Sequence, residues 1–371
     1  MVSLTRWAGA LAACAALAAP LAAQRWEKTY FYDRDKSGLV FTDMAAPSAQ
    51  RAIAVGYITN GKHDEPVSVV TSDAGEHWQQ LPLKEMPVSL FFLNENLGWL
   101  VTTGGLWRTT DAGKGWARLP KPPADILRVW FHDENNGWAV GAPKAILETH
   151  DGAKHWKPVA LKEPPGDAAH SAYTWIAFAN AETGLIAGWN IPERRWIDET
   201  PDWVDPRSAL LRSDLPHLSY AAWTRDGGKT WSANSASLFG EMERVRLLPD
   251  GHGLGLTVYS EGFRLPSEVH RLDWHTGKSW SIFRVPDIAI SDIWLSANGT
   301  AYLAGTTVQG KLRDVIPGKL RVLSSVNYSV WKEMNVDYRA EGHRVILAAA
   351  GDTPLWVATD MGMILKLTPA Q

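Results

Sequence analysis

Short apolar runs alternate with polar turns along most of the chain. In the best-defined unit these runs cover 126–132, 137–141, 145–149 and 156–161, and each is rich in aromatic or β-branched residues. Such residues favour pleated, half-buried strands, and turns rich in Asn, Asp and Gly are typical of antiparallel sheets. No segment after residue 23 shows a helical period. The pattern predicts an all-β chain built from four-stranded units.

One motif, T-x-D-[AG]-[GA]-x-x-W, recurs within these units. It occupies 71–78, 109–116, 149–156 and 224–231. Asp accepts hydrogen bonds from nearby amides in tight turns, Gly tolerates positive φ, and Trp covers the turn with an apolar plane. Four equivalent copies favour a structural role over a catalytic or metal-binding one. We assign that role to Asp73, Trp78, Asp111, Trp116, Asp151, Trp156, Asp226 and Trp231.

The spacing of the repeat tryptophans predicts the number of units. Trp78, Trp116 and Trp156 follow one another at intervals of 38 and 40 residues, and a worn copy is expected at 275–280. The last unit, 344–368, contains only three strand-like runs, and 26–32 would supply its fourth strand. The count predicts a seven-bladed β-propeller with four-stranded antiparallel blades. The N-terminal strand would close the ring and remove an open sheet edge.

The first 23 residues have the pattern of a secretory signal peptide. Arg6 precedes an Ala-rich apolar stretch at 7–21, and 21–23 end in small residues. The alternative is a lipoprotein signal, because 11–14 resemble a lipobox that ends at Cys14. Cys14 is the only cysteine, so the cleaved chain could form no disulfide. We expect a periplasmic protein with one domain at 24–371.

Charge and motifs exclude several classes of function. Lys and Arg number 37 against 40 Asp and Glu, which disfavours nucleic acid or an anionic membrane as a bulk electrostatic partner. The sequence contains no HExxH, P-loop or G-x-S-x-G motif, so we expect no metal and no cofactor. We therefore predict a non-catalytic, monomeric binding protein.

A glycoside hydrolase is the alternative. The segment 263–266 resembles the F-R-I-P element of sialidases, whose Arg grips the substrate carboxylate, although here it lies in the fifth unit instead of the first. Arg264 then has Tyr259 and Glu261 nearby. Other carboxylates that could act in a hydrolase are Asp198, Asp202 and Asp205.

Long loops distinguish four of the predicted blades. They cover 59–66, 189–208, 259–268 and 307–319, whereas 102–105 and 141–144 are tight turns. All four would project from one face, and the fourth-blade insertion holds three Trp and three Arg within 189–207. Trp and Arg dominate interaction hot spots, although packing as an internal lid is the alternative. We predict partner contact through Arg194, Arg195, Trp196, Trp203, Arg207, Arg264 and Arg313.

The repeat resembles the Asp-box, or BNR repeat, S/T-x-D-x-G-x-x-W, whose proteins are mostly β-propellers. The third copy departs from it at Ala153. A longer phrase, G-W-A-V-G at 137–141 leading into the box at 149–156, resembles the photosystem II stability and assembly-factor family. That resemblance covers blades two to four well. It implies an exported, non-catalytic scaffold that binds a protein client in a membrane complex. The Trp and Arg side chains of the long loops could also stack on sugar rings, so a glycan is the alternative ligand.

Overall fold

A computed structural model describes residues 25–161, 169–190, 217–259, 263–308, 318–337, 339–351 and 354–368. The predicted signal peptide, with Arg6 and Cys14, lies outside these ranges. Within them the chain forms 29 β-strands and no α-helix. The same residues contain no helix long and apolar enough to cross a membrane.

The strands are short and follow one another closely. The first fifteen are β1 (Arg25–Phe31), β2 (Gly38–Ala45), β3 (Ala52–Thr59), β4 (Asp64–Thr71), β5 (Gln79–Pro82), β6 (Pro87–Phe92), β7 (Gly98–Thr102), β8 (Gly105–Thr109), β9 (Ala117–Arg118), β10 (Asp125–Phe131), β11 (Gly137–Ala142), β12 (Ala145–Thr149), β13 (Lys157–Pro158), β14 (Ser171–Phe178) and β15 (Gly184–Asn190). The remainder are β16 (His217–Thr224), β17 (Ser232–Leu238), β18 (Gly240–Leu247), β19 (His252–Tyr259), β20 (Ser267–Asp273), β21 (Lys278–Phe283), β22 (Ile288–Leu295), β23 (Ala301–Thr307), β24 (Leu320–Ser325), β25 (Lys332–Glu333), β26 (Asn335–Val336), β27 (Val345–Ala349), β28 (Pro354–Thr359) and β29 (Met363–Thr368).

These strands form seven sheets, each a blade of a propeller. Blades 1 to 6 take four consecutive antiparallel strands each, from β2–β5 through to β22–β25. Blade 7 consists of β27, β28 and β29 with β1 as its outer strand. The seven-bladed all-β prediction is therefore confirmed, including closure by the N-terminal strand.

The closing strand is well anchored. β1 pairs antiparallel with β29 from Arg25↔Thr368 to Phe31↔Met363, and Trp26 packs into the blade with 2 % of its surface exposed. The two-residue strand β26 adds a parallel pair with the start of β1, which the sequence did not predict. The segment that follows blade 6 therefore also pairs with β1 and helps to hold it in place.

The two faces of the propeller carry different connections. Each box turn joins a third strand to a fourth, on the same face as the turns that join first to second strands, and we call this the box face. The opposite face carries the connections from second to third strands, where we predicted the long loops. The loop predicted at 59–66 is shorter than expected, because β3 extends to Thr59 and β4 begins at Asp64. The strands extend into the predicted loop because they pair fully up to Thr59↔Asp64.

The box turns also hold neighbouring blades together. Both small residues of each box have positive φ, for example Ala112 at 62° and Gly113 at 82°. A Cβ on Gly113 would lie 2.4 Å from Cδ1 of Ile53 in blade 1. Ala153 adopts a φ of 68° in the third box and is fully buried. The departure from the Asp-box pattern at Ala153 thus leaves the turn unchanged.

Candidate functional site

The inner strands share an irregularity that positions the candidate site. In blades 1 to 6 the pairing between first and second strands shifts by one residue at about the same depth. A bulge of this kind turns the following side chain in a new direction and is common beside functional sites. The residues that follow the six bulges are Asp43, Ser89, Arg128, Trp175, Arg244 and Asp292.

Three of the arginines on the inner strands converge on one tryptophan. The guanidinium carbons of Arg128, Arg244 and Arg246 lie 3.9, 4.6 and 5.4 Å from the centroid of the Trp175 ring. The indole Nε1 of Trp175 donates to the Val245 carbonyl at 2.9 Å, which fixes the ring between blades 4 and 5. Cations over a desolvated indole are stabilised by its negative face, so the tryptophan holds the guanidinium groups in place.

Two carboxylates balance part of this charge. Asp43 accepts hydrogen bonds from the amides of Met44 and Leu90 and lies 3.4 Å from Arg128. In blade 6, Asp292 accepts hydrogen bonds from the amides of Ile293 and Leu347. It also lies 3.6 Å from Arg244 and 3.9 Å from Arg246. Each carboxylate therefore joins its own blade to the next one.

The cluster keeps an excess positive charge. Three arginines face two carboxylates, and each arginine donates one hydrogen bond to a described residue. Arg128 donates to Asp43, Arg244 to the Glu243 carbonyl and Arg246 to the Ile293 carbonyl. A guanidinium group has five N–H donors, so most of these donors have no acceptor among the described residues. Burial lowers the pKa of Arg128 to about 10, against an opposing effect of Asp43, so the side chain stays charged at neutral pH.

A cavity of about 260 Å³ contains the cluster. Its walls include the later residues of several inner strands, with Ala46 and Pro47 from the turn that follows β2. These residues lie toward the box face, so the cavity is the box-face end of the central channel. We call it the channel mouth. It can accept hydrogen-bond acceptors and negative charge, because the lining donors are desolvated and only partly neutralised.

The residues predicted to contact a partner lie elsewhere or cannot be placed. Arg194, Arg195, Trp196, Trp203, Arg207 and Arg313 fall outside the described residues, as do Asp198, Asp202, Asp205 and Glu261. Arg264 is described and exposed, on the face opposite the channel mouth. Partner contact through these residues stays a prediction.

The features that suggested a sialidase do not assemble around Arg264 in the part of the chain that is described. The hydroxyl of Tyr259 donates to Glu268 at 2.5 Å. Burial raises the pKa of Tyr259, and the bond to Glu268 raises it further, which disfavours a nucleophilic phenolate. The three arginines that do converge lie in the channel mouth instead.

The Asp-box carboxylates are occupied within their own turns. In blade 1, Oδ1 of Asp73 accepts from the Thr71 hydroxyl at 2.8 Å and from the His77 amide at 3.0 Å. These hydrogen bonds, first of all the one from the His77 amide, hold the pKa of Asp73 well below its usual range. Asp73, Glu76 and His77 could in principle surround a metal ion, with ligand atoms within 4.8 Å of one another. However, both carboxylate oxygens of Asp73 already serve the turn.

The worn box predicted at 275–280 lies at the box position of blade 5, between β20 and β21, but its Trp does not act as a box Trp. Trp280 lies within β21 with 48 % of its surface exposed, so it does not cover the turn. In blade 6 a degenerate box was missed at 325–331, where Asn327 takes the place of Asp and accepts from the Val330 amide at 3.0 Å. This copy does not match the repeat pattern in the sequence, because it has Asn in place of Asp and its turn is one residue shorter.

Comparisons with known proteins agree with this architecture. Residues 118–191 match the sequence profile of a family described as photosynthesis system II assembly factor YCF48. The photosystem II assembly protein Ycf48 of Synechococcus sp. (strain JA-2-3B'a(2-13)) is 28 % identical over 163 residues, which cover 38 % of this chain and 47 % of that protein. The Ycf48 lipoprotein of Prochlorococcus marinus is 24 % identical over 302 residues, covering 74 % of this chain and 83 % of that protein.

Solved structures of this kind superpose over nearly the whole chain. A structure of YCF48 bound to D1 peptide has a TM-score of 0.58 at 15 % identity, covering 91 % of this chain and 98 % of that one. YCF48 from Cyanidioschyzon merolae has the same TM-score at 14 % identity, with 93 % and 98 % covered. This chain is a propeller that resembles the photosystem II assembly factors. At these identities the structures show a shared fold, and the Synechococcus match spans only about half of that assembly factor.

Proposed function

We propose that the protein is an exported binding scaffold that holds a protein client of a membrane complex, without catalysing a reaction. The channel mouth carries this proposal. Its three guanidinium groups carry more charge than the two carboxylates around them can neutralise, and they retain unused N–H donors in a desolvated cavity. An acidic side chain or a free carboxylate of the client would satisfy these donors. The similar YCF48 structure that is bound to a D1 peptide supports a peptide ligand.

The inner strands suit such a role because they are rigid. Bulges place each side chain. Amides of the neighbouring blade donate to Asp43 and Asp292, and Trp175 donates to a carbonyl of the neighbouring blade. A site that is already in place before the client arrives loses little conformational entropy on binding. The fourth-blade insertion, with Arg194 and Trp196 among its predicted contacts, would add a second contact on the opposite face.

The decisive experiment compares two arginines of similar exposure, one inside the channel mouth and one outside it. Arg246 lines the channel mouth with 25 % of its side chain exposed, and Arg108 lies over Trp99 outside it with 27 % exposed. Immobilised wild type, Arg246→Gln and Arg108→Gln would be used to capture client proteins from detergent-solubilised membranes. We expect Arg246→Gln to recover at least tenfold less client than the other two.

Equal recovery by all three proteins would place the site outside the channel mouth. A further variant lacking 192–206 tests the predicted second contact in the same assay. Turnover of any member of a panel of sialosides and bacterial or plant glycans by the purified protein would favour the glycoside hydrolase instead.

A further inference from the structure

The degenerate box turn of blade 6 carries two exposed valines. Val326 is 77 % exposed and Val330 is 69 % exposed, the two highest values among the large hydrophobic side chains that are exposed in the described chain. We call this pair the valine tip. The turn itself has box geometry, since the Tyr328 amide donates to Ser325 Oγ at 2.9 Å and Tyr328 has a φ of 60°.

The other boxes hold polar residues or Gly at the same two positions. They are Ser72 and His77, Thr110 and Gly115, His150 and His155, and Arg225 and Thr230. Because both valine side chains point away from the fold, neither contributes to the core. Single exposed apolar residues are ordinary, whereas apolar residues grouped with further apolar surface mark an interaction site, so the neighbours of this pair decide its meaning.

An aromatic and basic surface continues from the valine tip onto blade 5. The guanidinium group of Arg271 lies 5.1 Å from the centroid of the Tyr328 ring, and Arg271 pairs across the sheet with Trp280, which is 48 % exposed. Lys278 and Lys332 are exposed on the flanking strands. The three nearby acids are engaged, since Glu333 pairs with Arg321, Asp273 accepts from the amides of its own turn, and Asp250 lies 3.1 Å from the His252 ring.

The beginning of the described chain lies at the same place. β1 begins at Arg25 on the box face, where Arg25 pairs with Asn335, two residues after the end of β25 in blade 6. The 24 residues that precede Arg25 include the apolar stretch 7–21. Only residues 22–24 separate that stretch from Arg25, so a bilayer that held the stretch would lie close to the box face of blade 6.

We propose that the valine tip, with Trp280 and the flanking Lys278 and Lys332, docks on the surface of an anionic lipid bilayer. Trp and basic residues around an apolar tip are the combination found at membrane interfaces. The surface is a protruding turn, whereas a stable protein interface needs about 800 Å² of complementary area on each partner. The local positive charge matches anionic lipid although the whole chain carries a net charge of −3.

Docking in this way would direct the channel mouth toward the membrane, because both lie on the box face. A client whose segment emerges from the bilayer would then meet the guanidinium cluster. The proposal itself does not depend on the proposed function, and lipid vesicles without any client test it.

The test uses residues 24–371, produced without the leader so that no lipid is attached, in flotation with vesicles. The vesicles contain phosphatidylcholine alone or with about a third of phosphatidylglycerol. We expect flotation with the anionic vesicles only, and weaker flotation at high salt. Val326→Asp combined with Val330→Asp should lower the bound fraction at least tenfold. Lys278→Gln and Lys332→Gln should each lower it about fivefold, the effect of one cation near an anionic surface.

The matched control is Ser72→Asp combined with Thr110→Asp, which adds the same charge to equivalent positions of two other boxes. Thermal unfolding would verify that all variants are folded. The proposal is overturned if the wild type does not float with anionic vesicles at low salt, or if the control loses as much binding as the valine variant. If no protein, wild type included, binds vesicles and the valine variant nevertheless captures less client, the valine tip is a protein-docking surface instead.

Discussion

Replacing Gly113 with Ala tests how the box turns join adjacent blades. The new Cβ would lie 2.4 Å from Cδ1 of Ile53, well inside normal carbon–carbon contact, and Ile53 is 1 % exposed, which restricts its retreat. A φ of +82° adds strain of about 1–2 kcal/mol for a residue with a side chain. Overpacking of a core adds about 1–3 kcal/mol, so we expect a loss of about 2–5 kcal/mol.

A double-mutant cycle separates these two contributions. Ile53→Val removes the clashing Cδ1 and should cost about 1 kcal/mol by itself. Combined with Gly113→Ala, it should relieve the clash and leave only the backbone strain. The double variant is then more stable than the sum of the single changes predicts, by about 1–2 kcal/mol. Ala153, which adopts the same turn in blade 3, shows that the strain alone is tolerated.

Urea unfolding followed by tryptophan fluorescence measures all four proteins. The midpoint and slope give the free energy of unfolding of each, and an unchanged slope shows that the unfolded states are comparable. Two results would refute the packing argument. One is that the effects of the two single changes simply add. The other is a Gly113→Ala variant within about 0.5 kcal/mol of wild type, the range of ordinary surface substitutions.

Three further outcomes are expected from urea unfolding. Asp43→Ala should cost about 3–5 kcal/mol, because it leaves Arg128 buried without its ion-pair partner; an effect under about 1 kcal/mol would contradict this. Burial raises the pKa of Glu241 to about 7, so stability should fall as pH rises from 4.5 through 7. Glu241→Gln should abolish that fall and be about 3 kcal/mol more stable than wild type at pH 8. Asn327→Asp should stabilise blade 6 by about 0.5–1 kcal/mol, since a carboxylate accepts the turn amides more strongly, and a lower midpoint would contradict this.

The architecture could be predicted from the sequence because its information is local and repeated. Each box turn needs Asp, two residues that tolerate positive φ, and a covering Trp, so the motif recurs at the period of one blade. The closing strand was predictable because the last unit lacked a fourth strand. β26 was not, since two residues paired in parallel leave no pattern in a sequence.

The channel mouth could not be predicted in the same way. Its residues come from inner strands as far apart as Asp43 and Asp292, and only ring closure and the bulges bring them together. Sequence reasoning searched the long loops, where polar residues concentrate. The usable signal was a charged residue in the middle of a mostly apolar inner strand, as at Arg128 in β10 and Asp292 in β22.

Closure by β1 also determines when the ring can form during synthesis. The first strand leaves the ribosome early, but Thr368, the partner of Arg25, is made 343 residues later. At about 5–20 residues per second, β1 waits on the order of a minute without its partner. Arg25, Glu27 and Lys28 place charges at the start of this waiting edge, where they oppose pairing with other chains. Those charges therefore disfavour aggregation of the unfinished chain, before the native fold has formed.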